Sequence, residues 1–343
     1  MERKYLCRAC AAASCILLLA AGRASAAITI ETVPVRDLGN ASDSAAHSGN
    51  PAGQGSVDYT YNIGKYEVTA AQYTAFLNAV GGVDTYALYN TSMSRTDYGG
   101  GISRNGGGTL ASPYTYVVEP SFANRPVNYV SWGNAARFAN WLHNGQPTRA
   151  QGLSTTEDGA YFLNGARTDA ALLGMSRKKT WKWAVTSEDE WYKAAYYNAV
   201  TSSYYLYPTS SDAAPRRSMA DAPPGNNANY FAGSGDFPID SGKYTTLVGE
   251  FQNSASPYGT FDQGGNVWEW NEAVIAGSYR GLRGGGFNNN SDTMRADYRS
   301  WEHPSEAYPN QGFRVSQVPE PASMVMFGLG IAATLLKRRD AGK

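Results

Sequence analysis

Three histidines, His47, His143 and His303, are the whole imidazole supply of this chain, and its three cysteines, Cys7, Cys10 and Cys15, crowd into the first fifteen residues. A non-haem iron site uses a facial set of histidine and carboxylate ligands. No second histidine stands within four positions of any other, so no such set is pre-assembled in the sequence. There is no Gly-x-Ser-x-Gly segment, the strained turn that exposes a hydrolase serine. Residues 97–109 (DYGGGISRNGGGT) are rich in glycine, but no strand is read before them and no Lys-Ser/Thr follows, so they are not read as a phosphate-binding loop. What remains is a polar and aromatic group near the C-terminus: Asn288-Asn289-Asn290, then Tyr298, Trp301, His303 and Tyr308. Amides supply paired donors and acceptors while aromatic faces stack, the chemistry that recognises sugars or extended peptides.

Both ends of the chain read as addresses. Arg3, Lys4 and Arg8 precede an apolar run over 9–21 and then Ala24-Ser25-Ala26, the three parts of a cleavable export signal. A membrane anchor is the alternative, but that run is shorter than the ~20 residues a spanning helix needs. Cleavage after Ala26 leaves a body without cysteine: no disulfide, no thiolate ligand and no thiol nucleophile. At the other end, Val318-Pro319-Glu320-Pro321 leads into an apolar run over 322–336 and then Lys337-Arg338-Arg339, a positive-inside stop. That order resembles the PEP-CTERM sorting signal of Gram-negative bacteria. The resemblance implies an exosortase-type processing enzyme as partner, transient insertion of a C-terminal hydrophobic helix in the inner membrane, and release to the envelope or an extracellular matrix. A plain tail anchor is the other reading. Residues 1–26 carry four basic and one acidic residue and 319–343 carry four and two, which leaves 21 Lys+Arg against 26 Asp+Glu in the body. A mildly acidic body offers no footprint for nucleic acid.

Between the ends, hydrophobic residues at 42% and charged residues at 17% exclude a disordered chain or a coiled coil. Residues 39–57 are small and polar and read as an exposed loop. Thr69 is positioned to cap a helix whose one face carries Tyr73, Phe76, Leu77 and Val80. Ser131 caps a second helix with Ala135, Phe138, Ala139 and Leu142, and His143 at its end reads as a C-terminal cap. Ser187 and Glu190 have capping-box spacing before Trp191. Beyond residue 200 the helical period fades into short strands and Gly/Asn/Pro turns, an α+β pattern.

Five segments then line up: Ile63-Gly64-Lys65-Tyr66-Glu67-Val68-Thr69; Arg125-Pro126-Val127-Asn128-Tyr129-Val130-Ser131-Trp132; Ser187-Glu188-Asp189-Glu190-Trp191; Gly264-Gly265-Asn266-Val267-Trp268-Glu269-Trp270; and Arg283-Gly284-Gly285-Gly286-Phe287 with Gly312-Phe313-Arg314. Together they resemble the formylglycine-generating enzyme, or sulfatase-modifying factor, family. The resemblance implies one irregular, loop-rich α+β domain over 58–317, related to C-type lectins. Residues 1–26 would be the signal, 27–57 a polar N-terminal segment and 318–343 the sorting signal. Oxidase members of the family hold copper with two cysteines spaced C-x4-C after the Arg-Gly-Gly segment. The same count here reaches Asn289 and Met294, an amide and a thioether, so no copper is expected.

The resemblance also implies structural calcium. One site would use Asp262, the carbonyls of Gly265 and Val267, and Glu269; a second would use Asn229, the carbonyl of Tyr230, and Asp240. Hard oxygen donors suit that ion. Arg283, Arg295, Arg299 and Arg314 read as architectural, their forks suited to satisfying loop carbonyls. The expectation is an exported, non-catalytic binding or structural protein of the envelope or exopolysaccharide matrix. Its ligand cleft would be built from Asn288, Asn289, Asn290, Met294, Trp301 and His303. The alternative is a divergent formylglycine-generating-type or non-haem-iron oxidase acting on an exported protein.

Overall fold

The computed structural model describes residues 27–44, 52–233, 239–240 and 242–319. The export signal, His47 and the apolar run 322–336 lie outside the described residues. Within them no helix is long and apolar enough to cross a membrane.

In chain order the elements are β1 (Thr32–Val35), β2 (Tyr61–Gly64), α1 (Ala70–Val80), β3 (Ile102–Asn105), β4 (Thr115–Val118), α2 (Trp132–His143), α3 (Asp169–Leu173), β5 (Trp183–Val185), α4 (Glu188–Tyr196), β6 (Tyr197–Asn198), β7 (Ser203–Tyr204), β8 (Trp268–Ile275), β9 (Tyr279–Arg283), β10 (Ser300–Glu302), β11 (Gln311–Gly312) and β12 (Val315–Gln317). Four strands form one sheet in the order β1-β2-β12-β5, and four more form a second in the order β10-β9-β8-β11. Two hairpins, β3-β4 and β6-β7, stand beside them. The α+β class read from the sequence holds.

The helices begin where local chemistry starts them. Thr69 accepts from the Gln72 N–H and the Gln72 side chain answers the Thr69 N–H; Ser187 and Glu190 make the same reciprocal pair. Ser131 accepts from the Asn134 N–H. The apolar face of α1 then meets α2, where Phe76 and Phe138 pack edge to face at 5.3 Å and Phe313 meets Phe138 at the same distance. Trp132, Trp191 and Trp270 are fully buried, and Trp141 is nearly so. Aromatic bulk fills the space that long helices or broad sheets would otherwise supply.

Two parts of the sequence reading change. The polar stretch before residue 58 contributes β1, an edge strand paired in register from Thr32↔Gly64 to Val35↔Tyr61. The segment 39–57 is also tied down at its described ends. The Asn40 amide donates to the Gly55 carbonyl at 2.7 Å, and the Gly55 N–H donates to Asp189. The glycine-rich stretch holds β3, whose partner β4 runs from Thr115 to Val118.

Removing a cap side chain costs about 1 kcal/mol of stability. Ser187→Ala is therefore expected to lower the unfolding free energy by that amount, seen as a lower urea midpoint with an unchanged slope in tryptophan fluorescence.

Candidate functional site

After β9 the chain turns through Gly284 and Gly285, both with positive φ (95° and 74°). A Cβ on Gly284 would lie 2.6 Å from the Gln263 carbonyl, so glycine is required there. The turn presents the two positions where the oxidases carry cysteine. Asn289 accepts from the Trp268 indole N–H at 2.8 Å and from the Gly286 N–H at 3.2 Å, while its own carbonyl receives the Phe231 N–H. Met294 is fully buried against Tyr207 and Ala228, and its carbonyl accepts the Tyr196 hydroxyl. Met294 is thus sealed in the core and does not line an open cleft as the sequence suggested, while the half-buried Asn289 has its Oδ1 spent within the scaffold.

The other cleft residues divide between two places. Asn288 accepts from the Asn310 amide at 2.9 Å, and the Asn290 carbonyl closes the short turn over Ser291–Met294. Beside them Tyr298 packs 6.0 Å from Trp268. Trp301 and His303 lie on and just after β10, where both rings meet Tyr279, at 6.4 and 4.7 Å. His303 Nδ1 faces Asp169 at 3.4 Å. Tyr298, Trp301 and Tyr308 are each 41–46% exposed, so packing leaves part of each of these rings uncovered.

Among the described residues no three His, Cys, Asp or Glu side chains converge in a metal-holding arrangement, so any calcium site must draw on main-chain oxygens. Glu269 is fully buried in a two-pronged pair with Arg314 (2.5 and 2.6 Å) and also accepts the Trp191 indole N–H at 2.7 Å. Asp262 is partly buried at positive φ and accepts the Gly249 N–H at 2.5 Å. Glu67, which the sequence reading left without a role, completes the group. It is 2% exposed, and neither of its carboxylate oxygens meets a donor. Burial pushes the Glu67 carboxyl well above its usual range, and the neighbouring Asp262 and Glu269 add to the shift. Burial likewise pushes Asp262 up to about 7. Glu67 and Asp262 therefore lie in the field of an Arg314 whose hydrogen bonds go to Glu269 and to main-chain carbonyls. The signal for Glu67 was present in the sequence, as an acid flanked by Tyr66 and Val68 in a strand-like segment.

The second calcium set fits less well. The Asn229 amide donates to the Tyr244 carbonyl and to Asn266, and Asp240 is taken by an ion pair with Arg125. The arginines behave as read: Arg283 pairs with Glu188 and donates to the carbonyls of Ala296 and Tyr298, Arg299 shares Glu188, and Arg295 pairs with Asp297.

A loop-rich α+β domain whose Arg-Gly-Gly turn packs against a Gly-Asn-Val-Trp-Glu-Trp strand defines the class. The chain belongs to the sulfatase-modifying factor enzyme 1-like domain family, whose model matches residues 20–318, and a PEP-CTERM protein-sorting motif matches residues 317–339. The motif marks the protein as exported and as a substrate of an exosortase-type enzyme. Among solved structures, Treponema denticola variable protein 1 is similar at a TM-score of 0.54 and 19% identity, covering 85% of this chain and 98% of that one. CarF follows at 0.50 and 18%, covering 85% and 99%. Serine/threonine-protein kinase pkn1 of Chlamydia caviae is 23% identical over 220 residues, and its Chlamydia pneumoniae counterpart 22%. The match takes in 59% of this chain but only 25% of those relatives.

The raised carboxyls set a sign for the pH dependence. A carboxyl whose folded pKa lies above its unfolded value of about 4 stabilises the fold below that value, and the contribution is lost as pH rises through the folded value. In EDTA, the urea midpoint is expected to fall between about pH 4 and 7, and Glu67→Gln should flatten that fall.

Proposed function

We propose that this exported protein is a non-catalytic, calcium-stabilised binding or structural component of the cell envelope or exopolysaccharide matrix. The observation that carries this reading is the state of positions 289 and 294. Where oxidase relatives place copper thiolates, this chain has an amide spent on an indole and a thioether sealed in the core. Copper(I) chemistry needs soft ligands and a thiol that can exchange with substrate. Neither side chain provides them, and the exported body has no cysteine to stand in.

What the face retains is recognition chemistry. Asn288, Tyr298, Trp301 and Tyr308 offer amides and exposed rings suited to a sugar or an extended peptide. The lectin relationship implied by the sequence resemblance and the sorting motif at the C-terminus favour a glycan of the matrix. Calcium would draw on Asp262 and the carbonyls of Gly265 and Val267, with Glu67 supplying the unpartnered carboxylate beside them; Glu269, the fourth ligand implied by the resemblance, would have to share oxygens already held by Arg314 and Trp191. When bound, the ion supplies positive charge to a buried acidic set; it has no redox part here.

Purified body is expected to contain about one calcium per chain and no stoichiometric copper by elemental mass spectrometry. Adding calcium to EDTA-treated protein should raise the melting temperature, and more so at pH 8 than at pH 5, where protons compete for the carboxylates. Trp301→Ala and Asn288→Ala should abolish binding to isolated exopolysaccharide without moving the melting temperature. Asn289→Ala is expected to lower the melting temperature, because it releases the Trp268 indole and the Gly286 turn. Stoichiometric copper, or matrix binding indifferent to Trp301, would end this reading.

A further inference from the structure

Away from the Asn288 face, a groove of about 850 Å³ opens between the end of α2 and the strands β5 and β12. His143, Trp181, Lys182, Trp183, Gln317 and Pro319 line it. A second hollow of about 320 Å³ shares Trp181 and Val318 with it, so one trough runs past both indoles. His143 does not cap its helix as the sequence suggested: its Nδ1 accepts the Lys182 N–H at 3.1 Å and so ties α2 to this segment.

The charge here differs from the rest of the body. Residues 170–187 hold Arg177, Lys178, Lys179 and Lys182 and no acidic residue, in a body whose acids outnumber its bases. Arg177 is spent on Glu190 and Glu272 and stacks on Trp181 at 4.2 Å, and Lys178 pairs with Asp158. Lys179 and Lys182 are exposed and make no ion pair among the described residues. Two indoles and Lys182 thus share one trough, and Lys179 stands exposed three positions before Lys182 in the chain.

The same corner is where the body joins its tail. The Val318 N–H donates to the Lys182 carbonyl at 2.9 Å, and Pro319 is part of the groove wall. Only Glu320 and Pro321 separate Pro319 from the apolar run 322–336, a reach of about 10 Å at full extension. At the other end of the described chain, Ile28 is held here through both its N–H and its carbonyl by the Gln146 amide.

We propose that this trough is the surface on which the domain rests against an anionic phospholipid bilayer while its tail is inserted. Lys179 and Lys182 meet lipid phosphates, and Trp181 and Trp183 sit at headgroup depth. Tryptophan and lysine are the residues that populate this boundary, and basic residues close to a membrane segment select anionic lipid. The proposal rests on insertion of the 322–336 run and is independent of the ligand face.

The test uses the chain from residue 27 to 343, reconstituted into vesicles of phosphatidylcholine with phosphatidylglycerol brominated high on its acyl chains. Tryptophan emission should be quenched, and the quenching should vanish in Trp181→Phe/Trp183→Phe. It should fall at least twofold in Lys179→Gln/Lys182→Gln, or when the brominated lipid is phosphatidylcholine alone, with melting temperatures unchanged. Quenching that persists in the phenylalanine variant overturns the proposal, as does failure of the chain to float with vesicles. An emission change produced by glycerol phosphate or a soluble oligosaccharide without vesicles also overturns it, since the trough would then serve a soluble ligand.

Discussion

One buried guanidinium joins the two sheets. Arg314 leaves the chain just ahead of β12, grips both oxygens of Glu269 on β8, and donates to the carbonyls of Gly64 at the end of β2 and Phe261 in the loop before β8. The first sheet, the second sheet and the loop between them meet on this planar fork. Removing one partner of such a pair costs several kcal/mol because the other charge stays buried and alone. The geometry also explains the stress around it: Glu67 and Asp262 lie in the same field, and Arg314 is already committed to Glu269.

The same economy extends through the loops. A domain with short helices and strands leaves many main-chain carbonyls unpaired by ladders, and each needs a donor if it is buried. Arg280 donates to the carbonyls of Leu172 and Met175, Arg125 to Ser121, and Arg283 to Ala296 and Tyr298. Guanidinium groups here replace the regular hydrogen bonding that longer elements would provide. Much of the arginine in this body is therefore mortar, and its substitution would loosen loops before it changed a binding face.

Features written over a few residues were legible in the sequence. The caps at Thr69, Ser131 and Ser187, the buried tryptophans and the structural arginines all follow from local spacing or from the family segments. Features that depend on distant partners were not. β12 pairs with β2 across some 250 positions, as Ser316↔Ile63, and no local pattern announces that neighbour. β1 is four residues long inside a polar stretch, too short for its alternation to stand out. Asparagine serves both recognition and turns, and no local pattern announces that the Asn289 Oδ1 meets the Trp268 indole.

The position of β12 has a consequence for how much of the chain the first sheet needs. This last strand lies inside its sheet, between β2 and β5, rather than at an edge. A chain ending at Val318 would keep this ladder, whereas loss of Val315–Gln317 would part β2 from β5. The fold thus carries its own ruler: the ladder sets how far the chain can be shortened from this side.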